Sequence, residues 1–243
     1  MAAEQPLVLH QYQVSPFAAK VRRCLHFKGI PFEVTNYGLT GFGKVRKLSH
    51  AGKAPVLEHR GDWIADSSDI IQHLERHFPE TPVIPTAPAD RALAHVFEDW
   101  ADESLYYYDL TMRSWPNNAN WLADDLTLED SGLLRRVFHS LAPKIIAKQA
   151  RDQGTGRKPR EAVCQDVAQH FTAIDHLVAD DGWLVGDALS IADISVVSMF
   201  TVLERAEEAR ILFMQHPALR AWQARVDALT LPKGISEDNR ALL

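Results

Sequence analysis

Residues 52–74 read GKAPVLEHRGDWIADSSDIIQHL and carry, in order, the signals of two strands and a helix. Pro55 opens the first apolar run, a position where a strand tolerates proline because no ladder hydrogen bond is yet needed. The Arg-Gly-Asp step at 60–62 separates two short apolar runs, as the turn of a hairpin does. The polar run at 66–68 then precedes apolar residues at helical spacing. The stretch therefore predicts a β-hairpin followed by a helix.

The polar run at 66–68 falls at the predicted N-terminus of that helix. Backbone N–H groups are unpaired at such an end, and Asp and Ser are residues that cap it. The same end of a helix attracts anions. Taken alone, the run predicts a helix cap, and a binding role depends on what accompanies it.

The chain upstream adds a strand, a helix and another strand. Residues 7–11 form a short apolar run, and Ser15 precedes Pro16, a favoured first residue of a helix. Apolar residues recur at helical spacing until Gly29, and residues 32–37 alternate like a second strand. Strand–helix–strand, hairpin and closing helix together give the βαβ-ββα plan of a thioredoxin-like domain. A third helix, if present, must lie within residues 42–50.

Four prolines between residues 79 and 89 predict a stiff linker and a domain boundary. We place an α/β thioredoxin-like domain at 1–78, the linker at 79–89 and an all-helical bundle at 90–243. The bundle is predicted because strand signals end there and helical patterns take over. These predicted helices cover about 90–114, 130–152, 160–179, 190–210 and 217–229.

Composition narrows the function classes. The formal net charge of −6 disfavours a nucleic-acid partner, which needs a basic face. No apolar run approaches the eighteen or so residues of a membrane span, and the N-terminus lacks a secretory signal. The two cysteines, Cys24 and Cys164, form no disulfide framework, so we expect a reducing, cytoplasmic location. Cys24 falls on the apolar face of the first helix and is expected to pack in the core.

Two motifs around residues 54–67 resemble the glutathione-binding domain of the glutathione transferase superfamily. Ala54-Pro55-Val56-Leu57 is similar to that family's "VPxL" segment, and Asp66-Ser67 to its acidic-Ser pair. The resemblance implies a cis Ala54–Pro55 bond that presents the Ala54 backbone to the peptide of glutathione. It also implies that Asp66 and Ser67 meet the γ-glutamyl end. Here Ala54 replaces the commoner valine, and Asp66 a commoner glutamate or glutamine.

Two further segments resemble the same superfamily. Residues 184–193, LVGDALSIAD, are similar to a segment that nucleates the core of its helical domain. Within it Ser190 and Asp193 form a capping-box pattern, and we assign them to folding. Residues 154–157, GTGR, are similar to a stretch of the metaxin and failed-axon-connections branch. We interpret that segment as a solvated basic loop.

Ser15-Pro16-Phe17-Ala18 marks the start of the first helix, where thioredoxin-like proteins carry a Cys-Pro-x-Cys pair. The missing cysteines exclude dithiol exchange and count against a glutathione-dependent reductase. The segment resembles the serine-type transferases and, with serine for cysteine, the omega type. The resemblance implies that the Ser15 hydroxyl and the helix N-terminus stabilise a bound thiolate. Tyr12, near the place where tyrosine-type transferases keep their phenol, is the alternative activating residue.

The resemblance also implies substrate-binding residues beyond this pair. Phe17 is placed in the binding site, Lys53 matches a lysine of serine-type members that meets the glycyl carboxylate, and Lys44 is a second candidate for that role. Tyr107 and Trp115 belong to an aromatic cluster that either packs in the core or lines an apolar second-substrate pocket. The eleven histidines show no metal-ligand spacing, so we expect no metal.

Two hypotheses follow from the sequence. The first is a glutathione transferase, a homodimer by resemblance, that adds glutathione to a small apolar electrophile. The alternative is a non-catalytic binding or assembly protein of the metaxin-like kind, built on the same fold. Ser15, the Ala54–Pro55 step and Asp66-Ser67 favour the enzyme, whereas the stretch at 154–157 favours the assembly protein.

Overall fold

The computed structural model describes residues 6–49 and 52–232. Its first part is a mixed four-stranded sheet with strand order β2-β1-β3-β4. The strands are β1 (Leu7–Gln11), β2 (Phe32–Asn36), β3 (Val56–His59) and β4 (Asp62–Ala65). Strand β1 runs parallel to β2 and antiparallel to β3, and β3 pairs antiparallel with β4. This is the predicted βαβ-ββα plan.

Three helices accompany the sheet: α1 (Pro16–Phe27), α2 (Phe42–Val45) and α3 (Ser67–His77). Short helix α2 is the third helix that the sequence allowed within 42–50. Arg60 and Gly61 form the hairpin turn with φ of 55° and 90°, the positive values that match the twist of paired strands. Helix α1 ends before Gly29, whose φ of 67° is the left-handed conformation expected after a helix.

The second part is all-helical within the described residues 88–232. Its helices are α4 (Pro88–Trp100), α5 (Tyr106–Arg113), α6 (Ala119–Leu126), α7 (Gly132–Gln153), α8 (Arg160–Leu177), α9 (Ile191–Leu203), α10 (Glu207–Phe213) and α11 (Pro217–Thr230). A π-helical turn, Ala101–Leu105, joins α4 to α5. Pro88 is the first residue of α4, where its missing N–H costs nothing.

The helical part differs from the sequence prediction in two places. Helix α6 lies where the sequence predicts no element, and the helix predicted over 190–210 is two helices, α9 and α10. Asn118 contributes to the second difference, because its Oδ1 accepts the backbone N–H of Glu207 at 3.2 Å and so caps α10. That cap comes from a residue 89 positions away and leaves no local signal.

Helix α9 forms the centre of the core, and every residue from Ile191 to Leu203 is buried. The capping box at its start is present as predicted, with Ser190 N donating to Asp193 Oδ2 at 2.9 Å. The Asp193 carboxylate also accepts the indole N–H of Trp222 at 2.9 Å. Asp193 therefore ties three parts of the helical core together, which supports its assignment to folding.

Helix α1 of the first part packs against the helical part. Buried Arg23 pairs with Asp227 of α11 at 2.7 Å and donates to Thr230 Oγ1 at 2.7 Å. The segment between α3 and α4 contains neither helix nor strand. It is nevertheless held in place, since Ile191 N donates to Val83 O at 2.8 Å. The boundaries proposed at 78 and 90 stay predictions.

Among the described residues, no helix combines the length and the apolar character needed to cross a bilayer.

Candidate functional site

Ser15 caps α1 and lines a cleft between the first part of the chain and the helical part. Its φ of −75° and ψ of 124° are the extended conformation of an N-cap, and its Oγ accepts the Ala18 N–H at 3.4 Å. That distance is long for a hydrogen bond, so the cap is a weak one. The Ser15 hydroxyl proton is donated to no described residue, so it is available to a ligand.

Tyr12 lies one turn away from Ser15. The backbone N–H of Ser15 donates to Tyr12 O at 3.0 Å, which holds the two residues in one tight turn after β1. The phenolic oxygen of Tyr12 is buried and has no hydrogen-bond partner among the described residues. Burial and the nearby Asp130 carboxylate raise the pKa of Tyr12, so the phenol is protonated at neutral pH.

The Ala54–Pro55 peptide bond is cis, which confirms that prediction. It lies immediately before β3, so the sheet positions it beside the start of α1. Pro55 is buried, whereas Ala54 is half-buried and Lys53 is exposed.

Asp66 and Ser67 lie at the N-terminus of α3. Asp66 has a φ of 74°, and its Oδ1 accepts the Ser68 N–H at 2.9 Å, so it is the N-cap that the sequence predicts. Asp66 itself is exposed and Ser67 is buried. The α3 terminus therefore presents a carboxylate, a hydroxyl and backbone N–H groups on one side.

A cleft of about 490 Å³ brings most of the predicted residues together, a volume typical of ligand sites. Those that line it are Tyr12, Ser15, Phe17, Lys53, Ala54, Pro55, Asp66, Ser67 and Tyr107. Lys44 and Trp115 are absent from the lining. Lys44 is exposed on α2, and the guanidinium of Arg160 covers the Trp115 ring at 4.5 Å. Aromatic density in the sequence does not reveal which ring faces a cleft.

The sequence analysis missed the far wall of the cleft. Asp102, Tyr106, Asp109 and Arg113 follow the spacing i, i+4, i+7 and i+11 across the π-helical turn and α5, and all four line the cleft. The Tyr106 ring packs edge-on against Phe17 with centroids 4.9 Å apart. This spacing was visible in the sequence, but nothing local distinguishes it from an ordinary polar face.

Burial changes the ionisation of this wall. It raises the pKa of Asp109 to about 6, against the opposing effect of Arg113, and it raises the pKa of Tyr106 to about 12. Burial likewise raises the pKa of Asp102 to about 6, although Lys20 opposes it. The wall thus contains two carboxyl groups that titrate closer to neutral pH than usual.

Asp130 holds the loop that follows β2, and Leu39 of that loop lines the cleft. The Asp130 carboxylate accepts the backbone N–H groups of Leu39 at 2.8 Å and Thr40 at 3.0 Å, and the Thr40 hydroxyl at 2.6 Å. Gly38 approaches so closely that a Cβ there would lie 2.4 Å from Asp130 Oδ1. Asp130, in a loop of the helical part, therefore holds the loop that follows β2 through three hydrogen bonds.

The cysteines contribute nothing to the cleft. Cys24 is fully buried in the core as predicted, and burial raises the pKa of its thiol. Cys164 is half-buried on α8. Within residues 6–49 and 52–232, no group of three or more His, Cys, Asp or Glu side chains is placed to hold a metal ion.

Comparison with known proteins identifies the family. Residues 9–82 match the family "Glutathione S-transferase, N-terminal domain", and residues 157–225 match "Glutathione S-transferase, C-terminal domain". A crystal structure of a glutathione S-transferase from Rhodospirillum rubrum has a TM-score of 0.65 at 25% identity, over 95% of this chain and 94% of that one. The chain belongs to the glutathione transferase superfamily.

Two curated relatives with different names match different shares of this chain. A probable glutathione S-transferase of rice, Oryza sativa subsp. japonica, is 36% identical over 125 residues, which are 47% of this chain and 53% of the rice protein. The match therefore spans about half of that relative. FtsZ-localized protein A of Caulobacter vibrioides is 25% identical over 203 residues, covering 81% of this chain and 76% of that protein.

Proposed function

We propose that this protein is a glutathione transferase, which binds glutathione, stabilises its thiolate and transfers it to an apolar electrophile. The observation that carries the proposal is the meeting of two helix N-termini at one cleft, with Ser15 at the start of α1 and Ser67 at the start of α3. Helix N-termini attract anions. Glutathione has a thiolate and a γ-glutamyl carboxylate that such a pair suits.

Ser15 is the proposed activating residue. Its hydroxyl donates to the sulfur, and the positive end of α1 favours the same negative charge. A free thiol has a pKa near 8.5, and such surroundings lower it to about 6–7.5, so most of the bound glutathione is thiolate at neutral pH. Tyr12 is the alternative, since it also lines the cleft and its buried, protonated phenol has no hydrogen-bond partner among the described residues.

The remaining residues hold the tripeptide in this proposal. Asp66 and Ser67 receive the γ-glutamyl end, the Ala54 backbone pairs with the peptide, and Lys53 meets the glycyl carboxylate. Phe17 and Tyr107 line the side where the electrophile binds, and both border the cleft. Lys44 and Trp115, which lie outside the lining, receive no role.

A pair of matched variants tests the glutathione site. Asp66→Asn removes the charge that faces the ligand but keeps a residue that caps α3 and tolerates a positive φ. Asp69→Asn makes the same change in charge two residues beyond the cleft-lining Ser67, at an exposed position. Asp66→Asn should weaken glutathione binding by about 10-fold, the effect of one charge-assisted hydrogen bond.

Calorimetric titration with glutathione measures this difference, and a glutathione column with elution by free glutathione provides the first screen. The control Asp69→Asn should bind like the parent. A parent protein that passes through the column and gives no calorimetric signal would exclude the proposal.

A second candidate function is a non-catalytic binding or assembly protein. Two observations favour it: the likeness to the Caulobacter protein, whose name describes localisation with FtsZ, and an apolar stripe on α7. In that stripe Leu133, Val137, Leu141 and Ile145 recur every four residues and are 43–75% exposed. Glutathione binding with turnover of a generic electrophile supports the enzyme, and failure of both supports this alternative.

We also infer that the protein is a cytoplasmic homodimer. Exposed Leu93 and Val96 on α4 provide apolar surface that a second copy can cover. A monomeric mass in sedimentation at micromolar concentration counts against the dimer.

A further inference from the structure

The far wall of the cleft contains a buried carboxyl group with almost no partner. The Asp109 side chain is 2% exposed, and its nearest cation is Arg113, with Nη1 3.5 Å from Oδ1. That distance is at the limit of a hydrogen bond, and Asp109 Oδ1 accepts none from the described residues. A buried polar atom without a partner costs free energy, so a site of this kind is completed by a ligand that donates to it.

Arg113 is itself committed elsewhere. Its Nη2 donates to Asp125 Oδ2 at 3.0 Å, and Asp125 is also bound by Arg205 Nε at 3.0 Å. The guanidinium of Arg113 thus lies between two carboxylates. It neither satisfies Asp109 fully nor offers a free positive charge to a ligand.

Asp109 lies on the side of the cleft assigned to the electrophile. It follows Asp102 by seven positions along a nearly continuous helix, which is about 10 Å at 1.5 Å per residue. Asp102 is close to the glutathione side, because Asp66 contributes to its raised pKa. Tyr106 and Tyr107 lie between these two aspartates and line the cleft.

The charges along the cleft are mostly negative. Six carboxylates border it among the described residues, against two basic side chains, Lys53 and Arg113. Lys20 pairs with Asp102, and Arg205 pairs with Asp125. These two cations reduce the excess of negative charge without removing it. Bound glutathione adds further negative charge. An anionic second ligand is therefore disfavoured by repulsion in a partly desolvated site.

We propose that the second substrate is an uncharged aromatic electrophile that presents an N–H or O–H donor to Asp109. This inference rests on the proposed transferase function and adds the chemical class of the electrophile. Aromatic character follows from Phe17, Tyr106 and Tyr107 at the same side. Asp109 acts as a specificity-determining residue by accepting the donor.

Three electrophiles with one reactive ring test this proposal. They are 4-chloro-3-nitrobenzamide, which is neutral with donors, methyl 4-chloro-3-nitrobenzoate, which is neutral without donors, and 4-chloro-3-nitrobenzoate, which is anionic. Each kcat/KM is divided by the uncatalysed rate constant with glutathione, which removes the electronic effect of the substituent. The parent should prefer the amide to the ester by about 10-fold and reject the anion still more strongly.

Variants of Asp109 distinguish its hydrogen bond to the ligand's donor from its repulsion of an anionic ligand. Asp109→Leu should abolish the preference for the amide. Asp109→Asn, which retains an acceptor oxygen, should keep that preference and accept the anion better. Asp99→Asn, at an exposed position outside the cleft lining, changes the net charge equally and should leave all three values as in the parent.

Binding of the unreactive analogues that lack chlorine, measured by calorimetry in the presence of glutathione, separates the two claims. If no electrophile is turned over but 3-nitrobenzamide binds more tightly than its ester and its acid, the transferase function fails and the ligand class stands. The inference is overturned if the corrected kcat/KM of the parent for the ester or the anion equals that for the amide. It is also overturned if the parent binds none of the analogues. These parent measurements decide the matter even if Asp109→Leu does not fold.

Discussion

Lys20 Nζ lies 2.6 Å from Asp102 Oδ2, and this ion pair joins α1, the helix that Ser15 caps, to the far wall of the cleft. The ammonium is fully buried and also contacts Glu98 Oε1 at 2.9 Å. Burial alone would lower the pKa of Lys20, but the two carboxylates raise it, so Lys20 remains protonated. Two carboxylates share one ammonium here. Burial, with a smaller effect of the neighbouring Glu98, raises the pKa of Asp102 to about 6 against the opposing effect of Lys20.

Lys20→Met should destabilise the protein strongly, because it leaves buried Glu98 and half-buried Asp102 without a counter-charge. Breaking a buried pair in this way costs about 3–5 kcal/mol of unfolding free energy. Urea unfolding of the parent and the variant measures the loss. The triple variant with Glu98→Gln and Asp102→Asn should recover much of it.

The control for this prediction is Lys148→Met. Lys148 pairs with Asp152 at an exposed site on α7, where ion pairs contribute little. A Lys20→Met protein no less stable than Lys148→Met would show that the buried network is unimportant for stability.

Asp130→Asn should loosen the loop after β2. Burial alone would raise the pKa of Asp130, but the hydrogen bonds from Thr40 and Leu39 lower it. An asparagine has one acceptor oxygen and no charge, so the hydrogen bonds from the two backbone N–H groups become weaker. The Leu39 and Thr40 amides should exchange with solvent about 10-fold faster, as expected for a lost charge-assisted bond.

Hydrogen exchange followed by NMR reports these two amides directly. Asp124→Asn, an exposed carboxylate on the neighbouring α6, should leave their rates unchanged. The pKa of Asp130 is depressed in the folded protein. The stabilisation of the loop by the ionised carboxylate is therefore fully present above the ordinary aspartate pKa and is lost as the pH falls through the folded value. Unchanged exchange in Asp130→Asn means that other contacts hold the loop.

His73 should make stability depend on pH. It is buried, its Nε2 lies 2.8 Å from His59 Nδ1, and its ring stacks on His77. Burial, followed by the charges of His77, His59 and Arg76, lowers the pKa of His73 to about 4, while Asp62 opposes this. The unfolded chain therefore takes up this proton first, and stability should fall as the pH decreases from about 6.5 to 4.

Urea unfolding at several pH values between 7 and 4 measures this slope. His73→Gln should flatten it, whereas His95→Gln, at an exposed position, should leave it like that of the parent. Equal slopes in the parent and both variants would assign the pH dependence to other groups.

Most of the fold follows from local sequence signals. The hairpin at 60–61, the caps at Ser15 and Asp66, and the capping box at Ser190 all depend on residues adjacent in the chain, and all are present. The break between α9 and α10 depends on the distant Asn118, so no local pattern predicts it.

The segment at 154–157 shows the same limit. We expected a solvated basic loop, and Arg157 is indeed exposed. However, its guanidinium donates to the carbonyl oxygens of Arg151 at 2.6 Å and Asp152 at 2.9 Å, which caps α7. A Cβ on Gly156 would lie 2.8 Å from the backbone of Ala150. The close approach at Gly156 and the capping of α7 by Arg157 therefore account for these residues without an assembly partner.

The cleft likewise contains residues that local motifs predict and residues that they do not. Residues near the helix N-termini belong to recognisable motifs, and the structure brings Ser15, Ala54 and Ser67 to one cleft. Asp109 and Asp130 were missed, because their importance arises from burial and from contacts with other elements. A single carboxylate on a helix or in a loop is usually a solvated residue.

The central claim is that Ser15 activates bound glutathione, and the pH dependence of turnover tests it most directly. Ser15→Ala and Tyr12→Phe are compared with the parent, using a generic electrophile. Ser15→Ala should raise the apparent pKa of the bound thiol and lower kcat at neutral pH by about 10- to 100-fold, for a lost bond of about 1.5–3 kcal/mol. Glutathione binding should change much less, and Tyr12→Phe should act like the parent. Full activity in Ser15→Ala with loss of activity in Tyr12→Phe would contradict the assignment and identify a tyrosine-type site.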